Sequence, residues 1–367
     1  MKMAIVHDYL CGMGGAERVF QYICEEFEEA DTYTLAYNSN RTLPYFKRRQ
    51  IRTTWMNHFV QSMDAFRWSF PFATHVMESL DLSEYDLVLS SSATVGKYIR
   101  VPNGKHVCYC YIPTRALWQT DEYFGGSWKS KLFNYFLSYL RRHDLEAAQR
   151  VNQFIAISKT TKDHIAKTYF RDSSVIFSPI CLDRFAPSEN RGEHYLIVSR
   201  LEQWKRVDYA IEAFSRLGLP LKVIGTGKEE ARLREMAEPN ITFLGGVDDE
   251  TLAREYAVAK AVIFTPFLEY GLIPLEANAS GTPVICYGVG GITETMIPWS
   301  KDSDQKGSSA TAVFFYEQTS DALIEAVRQF EEVSFDPSYL VKHASRWGVP
   351  EFKRQLRAAV EAIGGSA

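Results

Sequence analysis

Two short, branched apolar runs, Ala261-Val-Ile-Phe264 and Pro283-Val-Ile-Cys286, are separated by a glycine-containing loop and enough chain for one short helix. Runs of that length and branching read as strands buried on both faces. Strand, loop, helix and strand in this order build a parallel sheet, because parallel neighbours need a crossover connection. In an open parallel sheet, ligands bind beyond the carboxyl ends of the strands, where Glu269 and Gly271 fall. Backbone N–H groups of Gly271, Leu272 and Ile273 open the helix and suit an anion. The Glu276 carboxylate on that helix can accept from both hydroxyls of a vicinal diol, so it suits a ribose or hexose.

The same order of elements recurs. Ala4-Ile-Val6, the glycine loop Cys11-Gly-Met-Gly-Gly-Ala-Glu-Arg18, and Val19, Phe20, Ile23 and Phe27 at helical spacing read as strand, loop and helix. Tyr195–Ser199, a loop holding Arg200 and Lys205, and the helix through Ile211 and Phe214 repeat it. Other expected strands are Glu84–Ser92, His106–Tyr111, Phe154–Ile157, Val175–Pro179 and Leu221–Ile224. At 367 residues the chain exceeds what one core usually serves, so two α/β domains are expected. Periodicity is lost between Arg184 and Gly192, which places the domains at 1–186 and 187–348.

Composition removes several classes of function. A net charge of −4 gives no global basic field, so nucleic acid is not an expected partner. The six cysteines include no CxxC pair and no histidine cluster at zinc-ligand spacing, so no metal site and no cofactor are expected, and reduced thiols are. Cys108 and Cys110 fall on one face of their strand by the period-two rule, which argues for packing. The first eight residues are not a signal peptide, and no uninterrupted 18-residue apolar run follows. The expected setting is cytoplasmic, or peripheral at the inner face of a membrane.

From Arg41 to Trp68 the chain is basic and aromatic, with Arg41, Lys47, Arg48, Arg49, Arg52 and Arg67 interleaved with Tyr45, Phe46, Trp55, Phe59, Phe66 and Trp68. Such a face suits an anionic membrane or a polyanionic acceptor, and equally a solvated helix with its aromatics in the core. Lys129–Ala148 has the apolar repeat of a long amphipathic helix. Gly12-Met-Gly14-Gly15 does not complete a GxGxxG fingerprint, which argues against a nicotinamide enzyme.

The stretch Glu269-Tyr-Gly-Leu-Ile-Pro-Leu-Glu276 resembles the acidic motif of retaining GT-B glycosyltransferases of family 4. Six residues lie between the acids here, where the family has seven, and Leu268 holds the family's first glutamate position. Gly14-Gly15-Ala-Glu-Arg18 is similar to that family's first loop, and Ser199-Arg200-Leu with Lys205 is similar to its diphosphate clamp. The resemblance implies two Rossmann-like, doubly wound domains facing across a cleft, with the last helix, 349–367, crossing back onto the first. It implies a nucleotide-sugar donor, of the UDP-glucose or GDP-mannose type, and a glycan or lipid-linked acceptor in bacterial surface-polysaccharide assembly.

It also assigns residues. Arg200, Lys205 and Glu269 are catalytic; Arg200, Lys205, Gly15, Gly271, Leu272 and Ile273 hold the diphosphate; and Glu276 holds the ribose. Glu269, Tyr111 and Gly14 meet the donor sugar, Tyr111 standing where the family commonly has a histidine. Val247 and Asp249 meet the nucleobase, although a helix-capping aspartate has the same sequence signature as the latter. Asp8 and Arg115 meet the acceptor. A nucleotide-sugar-binding subunit without turnover and an epimerase on the same fold are the alternatives.

Overall fold

The computed structural model describes residues 1–119, 134–300 and 309–365. They divide into two compact units, Met1–Ser178 with Pro350–Ala367, and Pro179–Val349. Unit 1 contains the parallel strands β1 (Met3–His7), β2 (Asp31–Thr34), β3 (Ile51–Thr53), β4 (Leu87–Ser92), β5 (Lys105–Cys110), β6 (Gln153–Ala156) and β7 (Ser173–Val175). Their spatial order is β3-β2-β1-β4-β5-β6-β7. Ala4, Ile5, Val6, Val88 and Leu89 are wholly buried because helices cover both faces of a parallel sheet.

Helix α1 (Gly15–Glu26) buries Val19, Phe20, Ile23 and Cys24, each large apolar side chain contributing about 1.5–3 kcal/mol of burial. Helix α2 (Met63–Glu78) starts at Ser62, whose hydroxyl accepts from the Ala65 N–H. Helix α3 (Asn134–Arg150) is the described part of the long amphipathic segment; 129–133 lies outside the described residues. The C-terminal helix Val349–Gly364 belongs to unit 1 from Pro350 onward. There Phe352 packs edge-on to Tyr109 and Lys353 pairs with Glu25 at 2.9 Å.

Unit 2 contains β8 (Tyr195–Val198), β9 (Leu221–Ile224), β10 (Ile241–Gly245), β11 (Val262–Phe264), β12 (Val284–Tyr287) and β13 (Ala312–Phe315), in the order β10-β9-β8-β11-β12-β13. Its helices include α4 (Val207–Leu217), α5 (Asp249–Val258) and α6 (Leu272–Ala279). In both sheets the first strand lies between its second and its fourth. Strand order therefore reverses beside β1 and beside β8, and each reversal opens a crevice at the carboxyl ends of the strands.

Three expectations need correction. The boundary falls at Ser178–Pro179 rather than after residue 186, because 179–186 is bonded into unit 2. Ile180 N–H donates to Trp347 O at 2.9 Å, Arg184 pairs with Asp249 and Phe185 packs on Tyr256. The last strand of unit 1 is Ser173–Val175, upstream of Val175–Pro179, where its register with β6 begins. In the basic, aromatic stretch, Phe46 and Phe66 are core. Arg49 is spent on three carbonyls and Thr32, and Arg52 is spent on Asp31 and Tyr33.

Candidate active site

In unit 2 the loops after β8 and β11 meet at the strand-order reversal. The first runs from Ser199 to Arg206 and carries both predicted cations on either side of Trp204. The Lys205 ammonium stands 4.1 Å from the indole centroid and the Arg200 guanidinium carbon 5.9 Å from it. One aromatic ring thus holds two cations near a common point, where solvation alone would leave two mobile side chains. The β9 loop supports this arrangement from below. A Cβ on Gly225 (φ +132°) would lie 1.8 Å from Ser199 O, so only glycine lets the two loops close up.

The second loop is tied to the first through Thr265. Its hydroxyl donates to Lys205 O at 2.8 Å, while its carbonyl accepts from Tyr209 Oη at 2.6 Å and Gln318 Nε2 at 3.1 Å. Downstream, Glu269 is buried, and its backbone is clamped by the loop after β12. Leu268 bridges Gly290, Gly291 N–H donates to Leu268 O at 2.9 Å, and a Cβ on Gly291 would fall 1.9 Å from Glu269 O.

Gly271 then caps α6 without a side-chain hydrogen bond, so the first-turn N–H groups of Leu272 and Ile273 face outward from the helix end; Pro274 has none. One turn on, Glu276 accepts from Tyr256 Oη at 3.0 Å. Tyr256 is fully buried on α5, and burial, reinforced by the Glu276 charge, pushes its phenol well above the ordinary range. It therefore stays a donor and orients the carboxylate. Val247 is half-buried just before α5. Asp248 is the residue that caps that helix, accepting from Thr251 N–H at 2.7 Å, whereas Asp249 pairs with Arg184 at 2.8 Å. Asp249 is thus engaged in a surface ion pair rather than presented to a base.

At the equivalent reversal of unit 1 the loops after β1 and β4 are tied together by a carboxylate. Asp8, at the end of β1, is buried, and its carboxylate accepts from Ser92 Oγ at 3.0 Å and from the N–H groups of Ala93, Thr94 and Gly96 at 2.7, 2.9 and 2.6 Å. With both oxygens committed, Asp8 positions the loop after β4 and is not an acceptor contact. Gly14 caps α1, with Gly15 its first residue, and the buried Glu17 carboxylate curls back to them; a Cβ on Gly14 would lie 2.8 Å from Glu17 Oε2.

A negative group therefore already occupies the end of α1, so Gly15 does not offer the diphosphate the vacant helix end that its sequence suggests. Tyr111 donates its hydroxyl to Ala16 O at 3.0 Å and lies 2.9 Å from Ser91 Oγ, so its hydroxyl is engaged within unit 1. Arg115 opens a short helical turn, Arg115–Trp118. That turn is pinned by a buried ion pair, Lys97 Nζ to Asp144 Oδ1 at 2.7 Å. The same carboxylate accepts from Thr114 Oγ1, Trp118 Nε1, Tyr98 Oη and Tyr169 Oη.

Sequence reading missed Trp204, Tyr256, Thr265, Gly291 and the Lys97–Asp144 pair. Trp204 was legible, standing between the two cations; the others become partners only through strand order. Two Rossmann-like α/β units in one chain, the second with cations and a carboxylate-bearing helix end at its strand-order reversal, define a GT-B protein. Residues 13–184 match Glycosyltransferase Family 4, and 183–347 match Glycosyl transferases group 1.

Among curated proteins, an alpha-1,3/1,6-mannosyltransferase of Candida glabrata is 20% identical, covering 84% of this chain and 81% of its own. The O-antigen chain mannosyltransferase of Salmonella typhimurium is 26% identical over 58% of this chain and 63% of its own. Among solved structures, sucrose-phosphate synthase of Thermosynechococcus elongatus superposes with a TM-score of 0.76 at 15% identity, covering both chains in full. An Anabaena protein solved with UDP and glucose gives 0.71 at 17%, covering 99% of this chain and all of its own. The chain belongs to the family 4-like glycosyltransferases of the GT-B fold and is a transferase enzyme.

Proposed function

We propose that this enzyme moves a hexose, with retention at the anomeric carbon, from a UDP-glucose- or GDP-mannose-type donor to a hydroxyl of a glycan or lipid-linked glycan, in surface-polysaccharide assembly. The observation that carries the reading is the pair of cations held on Trp204 at the strand-order reversal of unit 2. As the glycosidic C–O bond lengthens, charge grows on the diphosphate oxygen. Arg200, Lys205 and the N–H groups of Leu272 and Ile273 are suited to stabilise it without a metal ion.

Glu276, oriented by Tyr256, accepts from the ribose hydroxyls, and Glu269 accepts from the hexose. The acceptor oxygen bonds to the anomeric carbon on the face the diphosphate leaves, and its proton passes to the departing phosphate oxygen. No second carboxylate is assigned as a nucleophile, unlike the paired acids of retaining glycosidases. The nucleobase lies beside Val247. Arg115 is the remaining acceptor contact, and Gly14 lines the same loop region of unit 1.

Relatives named as mannosyltransferases and a structure titled with UDP-glucose support the donor class. Exposed Trp55, Phe59, Trp68 and Phe72 in unit 1, with exposed Lys47 and Arg48, support peripheral contact with an anionic membrane. Among the described residues no helix is long and apolar enough to cross one.

The test is turnover of UDP-glucose and GDP-mannose with and without a hydroxyl acceptor, with the product's anomeric configuration read by NMR. Arg200→Ala with Lys205→Ala should lower turnover by about 10²–10³-fold or more. Unchanged turnover in that double variant refutes the clamp, an inverted product refutes retention, and donor binding without turnover across a donor panel would favour a binding subunit.

A further inference from the structure

His75, Glu78 and His143, far apart in sequence, come together in unit 1 with one ligand-capable atom of each within 4.8 Å of the others. We propose that they form a site for one zinc ion, or a similar first-row divalent ion, that clasps the end of α2 to the middle of α3. His75 and Glu78 share a helix face at i and i+3 in the last turn of α2. The His143 ring comes from α3 and stacks on that of His75 with centroids 4.5 Å apart.

His75 Nδ1 and His143 Nε2 both face the same carboxylate oxygen, Glu78 Oε2, at 3.7 and 3.6 Å. These separations are too long for hydrogen bonds. They lie close to the edge of a tetrahedron with metal–ligand bonds of ~2.0–2.1 Å, which is about 3.3 Å. A small contraction would seat an ion.

The surroundings also fit. The other carboxylate oxygen, Oε1, is taken by Arg150 at 2.5 Å and Arg100 at 3.5 Å, which turns Oε2 toward the imidazoles. His75 Nε2, opposite its ligating nitrogen, lies 3.3 Å from Tyr139 Oη, the kind of outer partner that fixes a ligand's tautomer. His143 is buried, and its Nε2 has no hydrogen-bond partner among the described residues.

Two imidazoles and one carboxylate suit zinc and its neighbours better than magnesium or calcium, which take oxygen shells. A fourth position would go to water. The charge of Arg100 and Arg150 opposes an added cation, so binding should be looser than at a three-ligand site without guanidinium neighbours.

The test uses the full-length chain, freed of metal by chelation and titrated with Zn²⁺ alone in calorimetry, with Co²⁺ as a spectroscopic probe. One Zn²⁺ per chain is expected. Co²⁺ should give ligand-field bands without thiolate charge transfer, which separates this site from the six free cysteines. His75→Ala and His143→Gln should each weaken Zn²⁺ binding at least about tenfold. Because His143 is packed in the core, its variant could fail to fold; His75 is half-exposed, so His75→Ala is the decisive variant. No Zn²⁺ binding, or binding of the same affinity and stoichiometry in His75→Ala, overturns the proposal.

Discussion

Replacing Asp144 with asparagine keeps the side chain's size and removes its charge from a site with no access to water. The carboxylate accepts from Lys97 Nζ at 2.7 Å, Tyr98 Oη at 2.6 Å, Trp118 Nε1 at 2.7 Å, Tyr169 Oη at 2.9 Å and Thr114 Oγ1 at 3.2 Å. In Asp144→Asn the Lys97 ammonium, also buried, loses its counter-charge and is left with neutral acceptors, among them Thr94 O and Thr114 Oγ1. Breaking a buried pair by removing one partner costs about 3–5 kcal/mol, roughly a fifth or more of the ~5–15 kcal/mol that holds a typical domain folded.

The reverse change, Lys97→Met, leaves a buried carboxylate that still accepts from four neutral donors, so it should cost less. The double variant should cost less than the sum of the two, by about 1–3 kcal/mol of coupling. Unfolding of the two units need not be one transition, so the readout is hydrogen exchange in peptides spanning 134–150 alongside urea melts. Loss of under about 1 kcal/mol in Asp144→Asn, or a larger loss in Lys97→Met, would refute the reasoning. Because Thr114 and Trp118 flank Arg115, the same variant should raise the acceptor KM more than the donor KM.

Two further outcomes follow from buried groups. His7, stacked on Phe20, has its pKa lowered to about 4 by burial, and His106, bonded to Ser90, has its pKa lowered to about 3. Both stay neutral when folded, while the unfolded chain takes up a proton on each below about pH 6.5. Stability should therefore rise with pH through that window, and going from pH 7 to pH 5 should cost roughly 2 kcal/mol per histidine, read by denaturant melts. A flat profile there would contradict the burial of both rings. In unit 2, Tyr256→Phe removes the 3.0 Å bond to Glu276 and little volume, so the fold should survive while the donor KM rises about tenfold, ~1.4 kcal/mol, with the acceptor KM unchanged. Equal effects of Tyr256→Phe in the wild-type and Glu276→Ala backgrounds would show that the phenol does not act through that carboxylate.

Much of the scaffold was legible because buried parallel strands announce themselves as short branched runs. Ala4–Val6, Tyr195–Ser199 and Ala261–Phe264 all fall on observed strands. Asp31–Thr34 and Ile51–Thr53 escaped because they are short and rich in polar residues, the first although it is an inner strand and the second as an edge strand can be. The candidate site was legible where function is carried by order along the chain, as in Ser199–Lys205 and Glu269–Glu276. It was not legible where a side chain's partner is set by the sheet. Asp8 and Tyr111 look like ligand contacts in sequence, yet each reaches a neighbour about 80–100 residues away, at Ser92 and at Ala16. His75 and His143 are the converse, silent in sequence because the last turn of α2 and α3 meet only after folding.

The two strand-order reversals argue which unit should take the nucleotide. Both sheets put the first strand beside the fourth, so topology alone favours neither. Chemistry separates them. In unit 1 the acids Asp8 and Glu17 are buried beside the crevice; Asp8 spends its oxygens on three backbone N–H groups and a hydroxyl, and Glu17 sits at the α1 helix end. An incoming diphosphate would meet negative charge and spent donors there.

In unit 2 the tie between the same two loops is a neutral one, the Thr265 hydroxyl on Lys205 O. It draws the loops together through backbone and leaves the Lys205 ammonium over Trp204. Gly271, like Gly14, contributes no capping side-chain bond; the Glu17 carboxylate is the acid that lies beside the α1 helix end. The Lys205 ammonium and the first-turn N–H groups of α6 would stabilise a phosphate together, and the proposed function therefore assigns the donor to unit 2 on electrostatic grounds that the strand order, shared by the first six strands of both sheets, does not supply.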